Sequence, residues 1–508
     1  MTIAYRITID RDRDGVFGAA DEEISARVIE LRWRLGMRSA YDSLAQPSWA
    51  RITVRNADGD FSPERKALDS GARVRIQSDD GLLTRTHFTG AVSRIEPDEG
   101  EYSRKQAIIH LQDIQPWLAD SPARLAPQID VTADQVIAQL LDGATLRRPA
   151  LAGYCLIDVD GYNLIDSARI FPPENVGRRL QRGKTRFAYV GDWWRASTST
   201  REAIGEIAAS ERGRFYLDRA GEAVFINRHH TLIQRRISAA FDDDMSGMTY
   251  SYGDQRLNQV ALQMTPRALG ENDTLLWQLR STMRIGPRSE RLMDLRLLDE
   301  RDQPLGLIEV DRLVSRFQRS PAAGGRQVHS GGAAEVAQLG ASFARLRLAN
   351  HSQRDLYLTV LQLYGKPLYR GDPIEVSAAD GTGMHVFGLK RLELDLPALS
   401  DFATAQAFAD YELARRKHPR GVISALRVKA REHKPAALEA TLFDRIRIRE
   451  SHTGHGARDY FIVGEEHHVH TGGALHEIAW TLEPADSTRF IIIDRSVIDS
   501  RSEVIAPF

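Results

Sequence analysis

Along the first 120 residues, apolar and polar side chains alternate in short runs: "AYRITIDR", "ARVIELRWRL", "WARITVRN", "ARVRIQS", "THFTGAVSRIE" and "KQAIIHLQD". Successive side chains of a strand point to opposite faces, so a period of two marks strands with one face buried and the other wet. Asp, Gly, Ser and Pro separate the runs, as turns require. Six such runs at short spacing predict an antiparallel sandwich or barrel, and closure into a barrel removes the exposed edges that invite aggregation.

From about residue 130 the period lengthens. "DVTADQVIAQLLDGA" places Val136, Ile137, Leu140 and Leu141 on one helical face behind Thr132, a candidate N-cap. "STREAIGEIAASERG" has capping-box spacing at Ser199 and Glu202, a stripe of Ile204, Ile207 and Ala208, and Gly213 as its expected stop. The segment "RFYLDRAGEAVFINR" then reads as a hairpin turning from Asp218 to Gly221, and the polar "PPENVGRRLQRGKTR" as a loop. Past residue 250 alternation returns, and "DFATAQAFADYELARRK" predicts one more helix ending before Pro419.

These periods divide the chain into an expected first barrel at 1–125 and an α+β insert at 126–240. A β-rich middle at 241–360, with a flexible Gly-rich loop at 320–335, and a second barrel region at 361–508 follow. The fold class is mainly β with an α+β insert. A faint repeat supports two related barrels: "ARVRIQ" (72–77) precedes "HFTG" (87–90), as "DRIRIR" (444–449) precedes "YFIVG" (460–464). "DPIEVS" followed by "HVFG" reads as a degenerate third copy.

Composition narrows the function. The 508 residues carry 68 Lys+Arg against 69 Asp+Glu, a formal charge of -1, so no global basic field draws in nucleic acid or an acidic membrane surface. With Cys155 the only cysteine, neither a disulfide framework nor a cysteine-rich zinc site is expected, which fits folding in a reducing cytoplasm. The charged, alternating N-terminus is not expected to be a signal peptide, and no run of 18 apolar residues suggests a membrane span.

One stretch has the spacing of a metal loop. In "YRITIDRDRDGVF", Asp10, Asp12, Asp14, Gly15, the Val16 carbonyl and Asp21 fall on positions 1, 3, 5, 6, 7 and 12 of a calcium loop. Against calcium, a strand rather than a helix precedes it, position 12 is Asp rather than Glu, and Arg11 and Arg13 dilute the charge. A plain turn between strands is the expectation, with no cofactor or at most Ca2+. Asp58 and Asp60 in a second Asp/Gly turn are too few for a dedicated site. Histidines gather late, at His452, His455, His467, His468, His470 and His476. His468 and His470 share a strand face as two zinc or nickel ligands would, without a well-spaced carboxylate nearby in sequence. Hydrolase and nucleotide-binding motifs are missing, and adjacent Glu465 and Glu466 point to opposite faces of a strand, so no enzyme is expected. Trp193 and Trp194 offer either a sugar-stacking platform or part of the insert's core.

The wording of several stretches resembles the tail hub proteins of tailed phages and phage-tail-like particles. "YRITIDRDRDGVF", "LRWRLG", "PSWARITVRNADGDFSPE" and "FTGAVSRIEP" are similar to the N-terminal part of that family. "STREAIGEIAASERGRFYLDRAGEAVFINR" is similar to its helix-and-hairpin module, and "DYFIVGEEHHVHTGGALHEIAWTLEP" to its closing strands. The resemblance implies two tube-protein-like antiparallel β-barrels per chain and a homotrimer forming a pseudo-sixfold ring. Such a ring would adapt a hexameric tail tube or distal tail ring protein to a threefold spike or fibre, with the tape measure protein a further partner, in a virion tail tip assembled in the bacterial cytoplasm. It supplies no catalytic residues, sequence-specific nucleic acid or membrane span. The alternative is a calcium-dependent carbohydrate-binding adhesin using Trp193, Trp194 and the Asp loop. A fused cell-wall hydrolase is disfavoured, since the second barrel is expected to run almost to Phe508.

Overall fold

A computed structural model describes residues 3–11, 17, 22–65, 71–98, 105–145, 177–195, 197–321, 327–328, 330–470, 473–485, 490–491 and 504–505. The fold is mainly β, with several antiparallel sheets and an α+β body, as the alternating runs predict. No helix among the described residues is long and apolar enough to cross a membrane.

Twelve strands form the largest sheet. The first six are β1 Ala4–Asp10, β2 Val28–Gly36, β3 Trp49–Arg55, β4 Arg73–Asp79, β5 Thr84–Asp98 and β6 Gln106–Gln112. The second six are β7 Ile237–Asp242, β8 Gly247–Tyr252, β9 Gly421–Lys429, β10 Arg445–Glu450, β11 Gly456–His470 and β12 Leu475–Pro484. In space the first set runs β1-β4-β5-β6-β3-β2 and the second runs β7-β10-β11-β12-β9-β8. The two orders are identical when each set is counted from its own first strand. One difference is direction, since β1 lies antiparallel to β4 whereas β7 lies parallel to β10. In the first unit β1 also meets the chain just before β2, through Ile9 N to Glu22 O (2.9 Å) and Ile24 N to Ile7 O (2.9 Å). The sheet thereby curls back on itself.

The strands of the faint repeat therefore occupy equivalent places, "ARVRIQ" in β4 and "DRIRIR" in β10. Its glycines do not: Val74 sits opposite Gly90, whereas Ile446 sits opposite Tyr460 rather than Gly464. The third copy is overturned. "DPIEVS" contributes Ile374–Ala379 to a separate three-stranded sheet, and "HVFG" lies in the helix Gly381–Phe387 and its cap Gly388. Four residues of apolar character do not separate a helical turn from a strand.

The sheets also divide the chain differently from the expected ranges. β7 runs across the 240/241 boundary, β8 follows it, and both belong to the second unit, whose remaining strands begin only at Gly421. Between β8 and β9 the chain makes two excursions. One joins the α+β insert: Val260 and Leu262 of Gln259–Met264 and Phe408 of the helix Phe402–Arg416 share a core with Val136, Ile137, Ile204, Ile207, Phe215 and Phe225. The other, within 267–370, packs a six-stranded and a three-stranded sheet around Leu307, Phe317, Leu346, Leu348, Leu358 and Leu363. The Gly-rich 320–335 is not simply a loop, since Gln327–Val328 pairs with Gly306–Gln318 and Gly332–Leu339 pairs with Phe343–Asn350; residues 322–326 and 329 lie outside the described residues. Its small residues alternate well enough to add an edge strand.

Several local signals in the insert hold, but the expected loop "PPENVGRRLQRGKTR" contains the strand Arg178–Leu180, which pairs parallel with Ala223–Phe225. The helix Ala133–Thr145 buries Val136, Ile137, Leu140 and Leu141. Ser199 and Glu202 form a reciprocal capping box on the helix Thr200–Glu211. That helix ends on Arg212, at φ 57°, rather than on Gly213. Gly213 is needed for a different reason: a Cβ there would meet the Ile226 carbonyl oxygen at 2.6 Å. The hairpin Arg214–Leu217 to Ala223–Ile226 turns where expected, with the Asp218 carboxylate accepting from the backbone N–H groups of Ala220 and Glu222.

Candidate functional site: the seam between the two units

The two six-stranded units join where β2 pairs antiparallel with the C-terminal half of β11, from Leu31 opposite Val469 to Gly36 opposite Gly464. The N-terminal half of β11 pairs with β10 instead, so one 15-residue strand serves both partners. The ladder ends in a close crossing. A Cβ on Gly36 (φ +88°) would meet the Val463 carbonyl oxygen at 2.5 Å, and one on Gly464 would meet the Met37 carbonyl oxygen at 2.4 Å. Only glycine allows both the backbone approach and the positive φ.

Alternation along β11 sorts the late histidines into two groups. His467 faces inward and stacks on buried Trp33 with ring centroids 4.7 Å apart and planes 10° apart. Its Nδ1 is 2.9 Å from Nε2 of His476 on β12, and Tyr5 Oη of β1 is 2.7 Å from the His476 Nδ1. His87 of β5 joins the same cluster, bonded to Ser78 Oγ at 2.7 Å. Glu465, also inward, holds Arg219 through Nε at 2.8 Å and Nη2 at 2.6 Å. Arg219 sits in the hairpin turn of the α+β insert and gives further bonds, each 2.7 Å, to the carbonyl oxygens of Leu438 and Ala440. The seam therefore ties three parts of the chain to one buried polar knot.

The electrostatics follow from burial. Loss of water pushes His87 and His476 well below the ordinary imidazole range, and lowers His467 even though Glu465 favours its charged form. Burial alone would raise the Glu465 carboxyl, but Arg219 outweighs it and holds it at about 2. A second knot lies nearby. Glu483 of β12 accepts from Arg214 (3.1 Å), Arg415 (2.8 Å) and the Tyr41 N–H (3.2 Å), and those arginines hold it at about 2 despite full burial. It binds the hairpin and the helix Phe402–Arg416 to the second unit.

The residues singled out by spacing are distributed differently. Asp10 ends β1, is 1% exposed, sits opposite Arg73 and favours that arginine's charged form. Asp12, Asp14, Asp21, Gly15 and Val16 lie outside the described residues, so the calcium loop stays an expectation. Asp58 and Asp60 make a turn whose carboxylates pair with Arg27 at 2.9 and 3.1 Å. Trp193 and Trp194 are both engaged inside the fold: each indole N–H donates to Glu206 Oε2, at 2.7 and 2.8 Å, and the Arg267 guanidinium lies 4.9 Å from the Trp193 ring. Neighbouring Asp192 forms a fully buried ion pair with Arg267 at 2.8 Å, so this stretch anchors the 267–370 region to the α+β body. Glu465 and Glu466 do face opposite ways; Glu466 pairs with Arg32 on the outer surface at 2.6 Å. Neither Arg219, Arg214, Arg415 nor the role of Glu465 carried a sequence signal, because each partner lies more than 60 residues away.

No family model and no curated protein matches the chain. Solved structures similar to it include a tail protein from Neisseria meningitidis (9% identity, TM-score 0.47, 94% of this chain and 97% of that one). A prophage tail protein from Shewanella oneidensis is similar at 9% identity and TM-score 0.47, over 95% of this chain and 98% of that one. An Escherichia coli component of the type VI secretion system, itself described as structurally similar to T4 bacteriophage tail proteins, is similar at 10% identity and TM-score 0.38, over 95% and 77%. At such identities and scores these likenesses transfer neither activity nor partner.

Proposed function

We propose that the chain is a structural hub of a phage or phage-like tail tip, acting as a homotrimer whose six similar units form a pseudo-sixfold ring. The observation that supports this is the doubled strand order, first-fourth-fifth-sixth-third-second, present twice in one sheet. Three copies would offer six near-equivalent modules to a sixfold tube, while the inserted bodies, present once per chain, would offer threefold features to a spike or fibre.

The internal seam also suggests how chains would meet. In it, β2 pairs with β11 beyond the part that β10 covers. The strand of the second unit equivalent to β2 is β8, which among the described residues has one ladder, on β9. The equivalent stretch of the first unit is the end of β5, where Arg94 to Pro97 pair with β6 and no other strand among the described residues. Joining β8 of one chain to that stretch of the next would repeat the seam, and three such contacts would close a ring. The reading is structural, not enzymatic, and the engaged Trp193 and Trp194 speak against an adhesin built on them.

Mass photometry of the purified chain should give a trimer, with interfaces of roughly 2,000 Å² or more per pair. In a chain with Cys155→Ser, cysteine pairs placed one in Met248–Tyr252 and one in Arg94–Pro97 should form disulfides between chains. A monomer at micromolar concentration, with no pair cross-linking, overturns the reading.

A further inference from the structure

The outward histidines of β11 meet a partner that sequence spacing hides. His468 and His470 stand two apart on one face, their rings 4.7 Å between centroids, and β12 places Glu477 directly opposite His468. One donor atom from each of the three lies within 4.8 Å of the others. We propose that His468, His470 and Glu477 bind a divalent transition metal of the zinc or nickel type.

The donor set is chemically suited to such an ion. Two imidazoles and one carboxylate match borderline-soft zinc, and three protein ligands leave a fourth position open. Metal–ligand bonds of about 2.0–2.1 Å in a tetrahedron put donors about 3.3 Å apart, so modest side-chain rotations close the site. His468 is already oriented, since its Nε2 lies 2.5 Å from Oε1 of Glu30 on β2. A carboxylate on one ring nitrogen is the usual support for an imidazole whose other nitrogen binds metal. Two neighbouring cations are occupied elsewhere, Arg32 by Glu466 at 2.6 Å and Lys429 by Glu432 at 3.4 Å, while Arg427 also lines the hollow. A surface hollow of about 420 Å³, lined in part by Arg32, Lys429, Glu466, His468 and Glu477, gives an ion access from solvent.

The position gives the metal a consequence. His468 and His470 lie on β11, Glu477 on β12 and Glu30 on β2, so a bound ion fastens the outer face of the seam whose inner face holds Trp33 and His467. This inference does not depend on the trimer, because all the ligands come from one chain.

Calorimetric titration of tag-free, metal-stripped chain with zinc chloride, and separately with nickel chloride, tests it. One ion per chain should bind, with a dissociation constant in the micromolar range or tighter and a rise in melting temperature. His470→Ala and Glu477→Gln should each weaken binding at least tenfold, while His452→Ala, on an exposed turn, should leave it unchanged. Circular dichroism spectra matching the parent establish that the variants fold. No saturable binding at 100 times micromolar zinc, or equal affinity in His470→Ala and His452→Ala, overturns the proposal.

Discussion

Mild acid should loosen this protein at its seam. His87, His467 and His476 are buried and held neutral, with pKa values below that of an imidazole in water. In the unfolded chain the same groups take up protons below about pH 6.5. The unfolded state then binds more protons than the folded one, so stability falls as pH falls through the unfolded value. At pH 5.5 each histidine that stays neutral in the fold costs about 1.4 kcal/mol, from RT ln(1 + 10). His87 and His476 contribute that in full, and His467 somewhat less because Glu465, 3.5 Å from its Nε2, favours the proton. The three seam histidines therefore contribute a loss of about 3–4 kcal/mol between pH 7.5 and 5.5, and His230 and His455, both lowered by burial, add to it. Glu465 and Glu483, both held at about 2, add nothing in that window; their contributions disappear only as pH falls from the ordinary carboxyl range toward 2. Urea unfolding followed by tryptophan fluorescence suits the test, since Trp33 stacks on His467. His87→Gln should remove about 1.4 kcal/mol of that loss, about a third of the seam's share. An unfolding midpoint unchanged between pH 7.5 and 5.5, or a slope untouched by His87→Gln, would refute the reasoning.

Three further outcomes are expected. Glu465→Gln strips the counter-charge from buried Arg219 and should cost about 3–5 kcal/mol in urea unfolding; a loss under about 1 kcal/mol would mean that water reaches the guanidinium. Gly36→Ala, at φ +88° and with 2.5 Å to the Val463 carbonyl oxygen, should cost about 1–3 kcal/mol and raise hydrogen exchange at Met37, whose N–H bonds to that oxygen. Asp12→Asn should leave stability within about 0.5 kcal/mol, and calcium added to the metal-stripped parent should not shift its melting temperature, as for an unmetallated turn. A calcium-dependent melting shift that Asp12→Asn abolishes would establish the calcium loop instead.

Much of the architecture is written locally. Period-two runs mark β1 to β6, the capping box at Ser199 and Glu202 starts its helix, and Asp218 to Gly221 turns its hairpin. These signals are legible because they act within a few residues, through side-chain alternation and backbone hydrogen-bonding needs. Alternation even assigns faces: it separates His467 from His468 and Glu465 from Glu466. What it does not assign is the partner on a face. Trp33 finds His467 and Glu477 finds His468 only once β2, β11 and β12 lie side by side, and Arg219 finds Glu465 only once the insert's hairpin packs on them. The shared core of the insert and the helix Phe402–Arg416, and the membership of β7 and β8 in the second unit, have the same origin. A strand pattern exposes an edge and an apolar face to every compatible strand in the chain; which of them pairs is decided by the packing and burial of the assembled sheet, not by its own residues.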